Sequence, residues 1–243
     1  MKKAIIYLVL FLFFSVTSWS QGNGNSSIPL IGENAPSFTA ESTNGKIVFP
    51  KDFAHQWKIL FSHPADFTPV CSSEILELAN KQDEFDKLNT KILVLSADGV
   101  ENHKQWIESL ESLNYKNRST EKIKFPLIGD KDRSIAKKYG MIQPSTNSSK
   151  DVRGVFIIDP NDKIRAFFFY PMNTGRNIDE IKRTLIAMQT SDKDNVLTPA
   201  NWEPGDDVMV PYNNSSGEKD NVAVSNPDMY HVAWYMYFKK LKL

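Results

Sequence analysis

The stretch Phe61-Ser62-His63-Pro64-Ala65-Asp66-Phe67-Thr68-Pro69-Val70-Cys71-Ser72-Ser73-Glu74 decides how this chain is read. It follows Lys58-Ile59-Leu60-Phe61-Ser62, a short apolar run that predicts a buried strand. From Cys71 onward the apolar period changes. Ile75, Leu78, Ala79, Phe85 and Leu88 recur at helical spacing. A strand therefore ends, a loop carries two prolines, and a cysteine falls where a helix begins. The first turn of a helix has unpaired N–H groups and the positive end of the dipole, and both favour S⁻ over SH. Thr68 lies three residues before the cysteine, where its hydroxyl is expected to return to the sulfur. Pro64 and Pro69 stiffen the loop and remove donors from it. Ser72 or Ser73 is the expected cap, with Glu74 and Glu77 near the first turn.

Working outward, Lys91 to Ser96 predicts a second central strand, and Glu101 to Leu113 a helix with Trp106, Ile107 and Leu110 on one face. Asp132 to Tyr139 predicts a short helix stopped by Gly140. Val155-Phe156-Ile157-Ile158, a turn at Asp159 to Asp162, and Ile164 to Tyr170 form a strand, turn and strand. Asn177 to Gln189 predicts the last strong helix. Strands interleaved with helices, closed by a hairpin, indicate an α/β fold with a mixed central sheet flanked by helices. After Asp192, prolines and an Asn/Ser run break regular structure. Alternating Val232, Trp234, Met236 and Phe238 then predict a strand with one apolar face, suited to packing or subunit contact rather than to a ligand.

The N-terminus is a separate element. Met1-Lys2-Lys3 precedes an apolar run from Ala4 to Val16, and Ser18-Trp19-Ser20 supplies the small residues of a cleavage site. This is the anatomy of a secretory signal peptide, too short to span a bilayer comfortably. Residues 1–20 are thus expected to be a signal peptide, and 21–29 a flexible polar leader. The protein is expected to be exported, periplasmic or secreted, from a bacterial host, with no stable membrane insertion after cleavage. Lys+Arg and Asp+Glu are both 29, so no overall field points to nucleic acid. The chain has 1 cysteine, so it forms no internal disulfide and has no Cys-x-x-Cys site. A lone cysteine is inert and buried, paired with another chain, or reactive.

Pro64-x-x-x-Thr68-x-x-Cys71 resembles the active-site motif of the peroxiredoxins, the alkyl hydroperoxide reductase/thiol-specific antioxidant family. Ser62 to Cys71 is more similar to the one-cysteine branch typified by peroxiredoxin 6. The likeness continues at Asp151 to Pro160, Tyr170 to Asn177 and Thr198 to Trp202, and so covers nearly all of residues 30–212. It implies a thioredoxin-like peroxidase domain over 30–191 and a small, dimer-contacting C-terminal domain over 192–243. It also implies a thiol-dependent peroxidase for hydrogen peroxide and alkyl hydroperoxides, acting in antioxidant defence and redox homeostasis. Cys71 would be the peroxidatic nucleophile, Thr68 a partner of the sulfur and the peroxide, and Pro64 a shield against water. Arg153 matches the family's active-site arginine and Arg176 a second one near it. Glu74 matches the residue that holds them, and His63 stands in the branch's Ser-His-Pro position. No cofactor or metal is implied, and no carboxylate or histidine cluster surrounds His63 in sequence. With no second cysteine, the Cys71 sulfenic acid would need an external thiol. A homodimer is implied as well.

Phe53-Ala54-His55-Gln56-Trp57-Lys58 lacks the nucleophilic serine of the lipase motif found in some relatives, so no phospholipase activity is expected. Thiol acidity alone does not make a fast peroxidase. Lowering a thiol pKa from about 8.5 to about 6 raises the neutral-pH thiolate fraction roughly 30-fold but lowers nucleophilicity about 13-fold. Positioning and charge stabilisation must supply the rest. Two alternatives stand beside this reading: a non-catalytic binding or chaperone-like protein on the same fold, and a thiol-disulfide oxidoreductase, which the missing Cys-x-x-Cys disfavours.

Overall fold

The computed structural model describes residues 28–119, 121–142, 150–211 and 227–241. The expected signal peptide and most of the leader lie outside these residues. In chain order the elements are β1 (Phe38–Ser42), β2 (Gly45–Phe49), β3 (Trp57–Ser62), α1 (Pro69–Lys87), β4 (Thr90–Ser96), α2 (Val100–Glu111), β5 (Asn114–Tyr115), β6 (Arg118–Ser119), β7 (Leu127–Gly129), α3 (Ser134–Lys138), β8 (Arg153–Ile158), β9 (Ile164–Tyr170), α4 (Ile178–Asp194), β10 (Val208–Met209), β11 (Met229–Ala233) and β12 (Met236–Lys239).

Seven strands form one mixed sheet in the order β2-β1-β7-β4-β3-β8-β9. β3, β4 and β7 run parallel, and β8 and β9 add antiparallel strands beside β3. All six residues of β3 are buried, because both faces of the sheet are covered. Ile59 and Phe61 pack on one side with Ile75, Leu78 and Phe85 of α1, Trp106 of α2 and Leu185 of α4. Leu60 packs on the other with Phe38, Phe49, Ile135 and Tyr139. Buried Lys58 reaches out to Asp162 and fastens the β8–β9 turn. The β1–β2 hairpin, turned at Thr43-Asn44, was not among the sequence expectations. Among the described residues no helix is long and apolar enough to cross a membrane.

Several boundaries differ from the sequence reading. α1 starts at Pro69, two residues before Cys71, and is capped by the Thr68 position without a side-chain bond. Ser73 donates to the Val70 carbonyl instead of capping. Glu77 pairs with Lys116 and Arg118 at the β5–β6 hairpin. The short helix covers only Ser134–Lys138. The expected C-terminal strand is a hairpin: β11 and β12 pair antiparallel around Trp234-Tyr235. The alternation read as one strand therefore runs through a turn, and Val232 and Trp234 are 64% and 67% exposed. β10, β12 and β11 form a separate three-stranded sheet. Trp202, Val208 and Val196 pack with Ala187 of α4 and tie the C-terminal segment to the main sheet's last helix.

Candidate active site

The loop from Ser62 to Thr68 joins the C-terminal end of β3 to the first turn of α1, which places Cys71 at the third residue of that helix. Ser72 is the first residue whose N–H finds a helical acceptor, the Thr68 carbonyl at 2.9 Å. Pro69 has no N–H, so the orphan donors of this turn are those of Val70 and Cys71. Cys71 is fully buried and is a free thiol.

Arg153, the first residue of β8 rather than a residue ahead of it, meets the sulfur from across β3. Its Nη1 donates to Cys71 Sγ at 3.3 Å and to Glu74 Oε2 at 2.8 Å. Its Nε and Nη2 both donate to the Met172 carbonyl, at 2.9 and 2.6 Å, in the turn after β9. Glu74 lies one helical turn from the cysteine side and is buried. Arg176 closes the group. Its N and Nε donate to Glu74 Oε1 at 2.8 and 2.9 Å, and its Nη2 to Oε2 at 2.6 Å. Its Nη1 donates to the Ser62 and Gly154 carbonyls, both at 2.8 Å, and its guanidinium lies over the Phe61 ring. Gly154 fits closely here: a Cβ would meet Ser62 Oγ and the Met141 side chain at 3.2 Å, so either neighbour would have to shift. Burial alone would raise the Glu74 carboxyl, but the Arg176 hydrogen bonds and charge, then Arg153, hold it below its usual value. Two guanidiniums face one carboxylate, so an ionised sulfur brings the four formal charges to zero.

The remaining expected residues also converge. Pro64 is buried beside this loop. Thr68 is half-buried, but its hydroxyl donates to the Ala65 carbonyl at 2.9 Å and not to the sulfur. That hydrogen is committed to the Ala65 carbonyl, so the expected Thr68–Cys71 bond is not formed. His63 is buried, its Nε2 2.9 Å from Asp66 Oδ1 and its ring 5.1 Å from Trp106. No carboxylate or histidine cluster surrounds it in sequence, but one does in space. Asp98 and His103 approach across 35 and 40 residues of chain, and His63, Asp66 and Asp98 lie within 4.8 Å of one another. Asp66 and His103 were missed as site residues. Asp66 lies inside the quoted loop, but its partners are brought to it by tertiary folding. The carboxylates of this trio are occupied by N–H donors and by a Ser96 hydroxyl, which leaves them poorly suited to a cation.

Residues 31–167 match the AhpC/TSA family, and residues 187–221 match the C-terminal domain of 1-Cys peroxiredoxin. A peroxiredoxin of Methanosarcina mazei is 46% identical over 215 residues, 88% of this chain and 98% of its own. The mitochondrial peroxiredoxin of Saccharomyces cerevisiae is 43% identical over 194 residues, 77% of this chain and 73% of its own. Among solved structures, a yeast mitochondrial 1-Cys peroxiredoxin studied for thiol resolution by the glutathione and thioredoxin systems superimposes with a TM-score of 0.77 at 39% identity. That match covers 88% of this chain and 100% of the other. Peroxiredoxin 6 of Arenicola marina gives the same TM-score at 34% identity, covering 88% and 98%. These relatives favour the peroxidase over the binding and chaperone-like alternative. With 1 cysteine in the chain, the matched sequence and the thioredoxin-like sheet lead to one conclusion: the chain belongs to the AhpC/TSA family of peroxiredoxins, as a one-cysteine thiol-dependent peroxidase.

Proposed function

We propose that Cys71 is the peroxidatic nucleophile, with Arg153 its main electrostatic partner. The observation that carries this is the Arg153 Nη1 contact of 3.3 Å on a lone, buried sulfur. The thiolate attacks the terminal oxygen of R–O–O–H. An S–O bond forms, the O–O bond breaks, and sulfur loses two electrons. The products are Cys71–SOH and RO⁻, which takes a proton from water. Arg153 and the orphan Val70 and Cys71 N–H groups face the oxygens as charge develops on them. Thr68 shapes the loop and keeps its oxygen lone pairs for a peroxide hydrogen. Pro64 excludes water. Glu74 and Arg176 hold Arg153 in place, and His63 walls the pocket.

One external thiol then forms a mixed disulfide with Cys71 and releases water. A second thiol frees the thiolate and leaves as a disulfide. Hydrogen peroxide and small alkyl hydroperoxides are the proposed substrates, in antioxidant defence. The apolar Val232, Trp234 and Tyr235 at the exposed β11–β12 hairpin support a homodimer in which a second copy covers them. The separate small sheet supports a division near residue 192 between a peroxidase domain and a C-terminal domain. The Met1 to Ser20 pattern supports export to a periplasm or the exterior of a bacterial cell.

Mass spectrometry of the reduced chain after one equivalent of hydrogen peroxide tests the assignment. One oxygen should add at Cys71 within the mixing time, and a thiol should remove it. A thiol that stays free under peroxide would end the assignment.

A further inference from the structure

Asp151 is a buried acid that the peroxide chemistry leaves unused. It is 0% exposed, and neither of its oxygens has a hydrogen-bond partner among the described residues. The other buried carboxylates are all bonded. Asp66 meets Asn102, Glu74 meets both arginines, and Asp159 accepts from the Asn161 and Lys163 N–H groups. Asp130, on the neighbouring turn, accepts from Ile135 N–H at 3.1 Å and Ala136 N–H at 2.8 Å. A carboxylate taken out of water without such donors is far costlier than the neutral acid. Asp151 therefore occupies this site with its proton on.

Its place in the chain couples it to the sulfur. Asp151 stands just ahead of β8, two residues before Arg153, whose Nη1 touches Cys71 Sγ. Val152, between them, is held at both ends. Its N–H donates to the Met141 carbonyl at 2.9 Å, and its carbonyl accepts from the Ser62 hydroxyl. That hydroxyl oxygen accepts in turn from the Gly154 N–H at 2.9 Å. Ser62 is the last residue of β3, where the loop to Cys71 begins, and its carbonyl accepts from Arg176. Moving Asp151 out to water would pull on Val152, and Val152 carries the peptide that leads into Arg153.

We propose that Asp151 is a positioning residue of the peroxidase: while protonated it seats the start of β8 and so Arg153, and its ionisation releases both. The inference rests on Cys71 being the nucleophile and Arg153 its partner, as argued above. The charged groups facing Asp151 are Asp130 from the β7–α3 turn, Arg133 at the start of α3 and Asp98 from the β4–α2 turn. Burial pushes the Asp151 carboxyl up to about 7. Asp130 and Asp98 add to that push, and Arg133 opposes it. Released to water, the same carboxyl titrates near about 4. The seated form is fully favoured below the lower value. Its ratio to the released form then falls about tenfold per pH unit up to the higher one, and levels off above it.

Asp151→Asn keeps the shape and cannot ionise. Stopped-flow oxidation of the reduced full chain by hydrogen peroxide, taken per thiolate, is compared between parent and variant at each pH, so groups common to both cancel. The parent-to-variant ratio should be near 1 at about pH 5 and fall to about one tenth by about pH 8. Amide exchange at Val152 and Gly154 should follow the same course, faster in the parent than in the variant as pH rises. A merely structural role shifts the rates by one factor at every pH. A ratio that does not change with pH therefore overturns the inference, as does exchange that stays parallel in the two chains. Should Asp151→Asn fail to fold, Asp151→Ser, smaller and equally uncharged, decides by the same two measurements. Peroxide consumption that survives Cys71→Ser would instead sink the nucleophile assignment.

Discussion

Replacing Arg153 with alanine separates two explanations of a fast thiol. Arg153 Nη1 touches both Cys71 Sγ and Glu74 Oε2. The substitution removes one of two buried positive charges but leaves the Glu74 carboxylate with three donors from Arg176. If sulfur ionisation were the whole effect, the loss would be small. A thiol raised from about 6 to about 8.5 loses roughly 30-fold in thiolate and regains roughly 13-fold in nucleophilicity, a net of about twofold. Removing a donor aimed at developing oxyanion charge costs on the order of 10²–10³-fold. The two explanations differ by at least about 50-fold on these figures. Stopped-flow oxidation by hydrogen peroxide from pH 5 to 9 should be measured, with each rate divided by the thiolate fraction from absorbance near 240 nm. The variant should lose about 100-fold or more per thiolate. A rate per thiolate within a few-fold of the parent chain would refute the reasoning.

Glu74→Gln should destabilise the chain by roughly 3–5 kcal/mol, because two buried guanidiniums lose their shared counter-charge; thermal unfolding checks it. The Glu74 carboxyl is held below its unfolded value, so its stabilisation is present above about pH 4.5 and is lost as pH falls toward the folded value. The variant's stability should then fall less steeply than the parent's below pH 4.5. Asp151 has the opposite sign. Both its oxygens are buried without hydrogen-bond partners among the described residues, and burial, then Asp130, push it up to about 7. Its neutral form favours the fold, so stability should fall as pH rises from about 4 to 7. Asp151→Asn should remove that slope and gain at most about 4 kcal/mol at pH 8 in denaturant titrations. Thr68→Val should lose the Ala65 bond, costing about 1 kcal/mol, with slower peroxide reduction; Thr68→Ser should keep both near parent values. Val232→Lys with Trp234→Lys should shift the assembly toward monomer in light scattering, and an unchanged mass would exclude this hairpin from the contact.

Legibility followed locality. The β3 run, the helix after it and the β8–β9 hairpin were readable because each satisfies one periodicity over a few residues. The start of α1 was misplaced because Pro69 and Val70 carry no apolar periodic signal, although Pro favours a first helical position. The β1–β2 hairpin turns at Thr43-Asn44 and needs the positive φ of Gly45 just after it, a signal too short to stand out beside the longer apolar runs. The C-terminal hairpin was read as one strand because period-two alternation continues through Trp234-Tyr235. Arg153, Arg176 and Glu74 came from resemblance; nothing local in their neighbourhoods announces a shared cluster across 79 and 102 residues. Asp66 and His103 were lost for the same reason, 37 residues apart.

The cluster of Cys71, Glu74, Arg153 and Arg176 under the first turn of α1 has a consequence once its sulfur has spent its electrons. A protonated sulfenic acid is uncharged, so the two arginines outnumber Glu74 by one, and the oxidised cluster carries an unmatched buried cation. An unmatched buried cation favours the approach of a negative charge over a neutral group. A reductant arriving as RS⁻ should therefore react faster with the oxidised chain than a neutral thiol of equal nucleophilicity, and raising ionic strength should blunt that difference in the reduction half-reaction only.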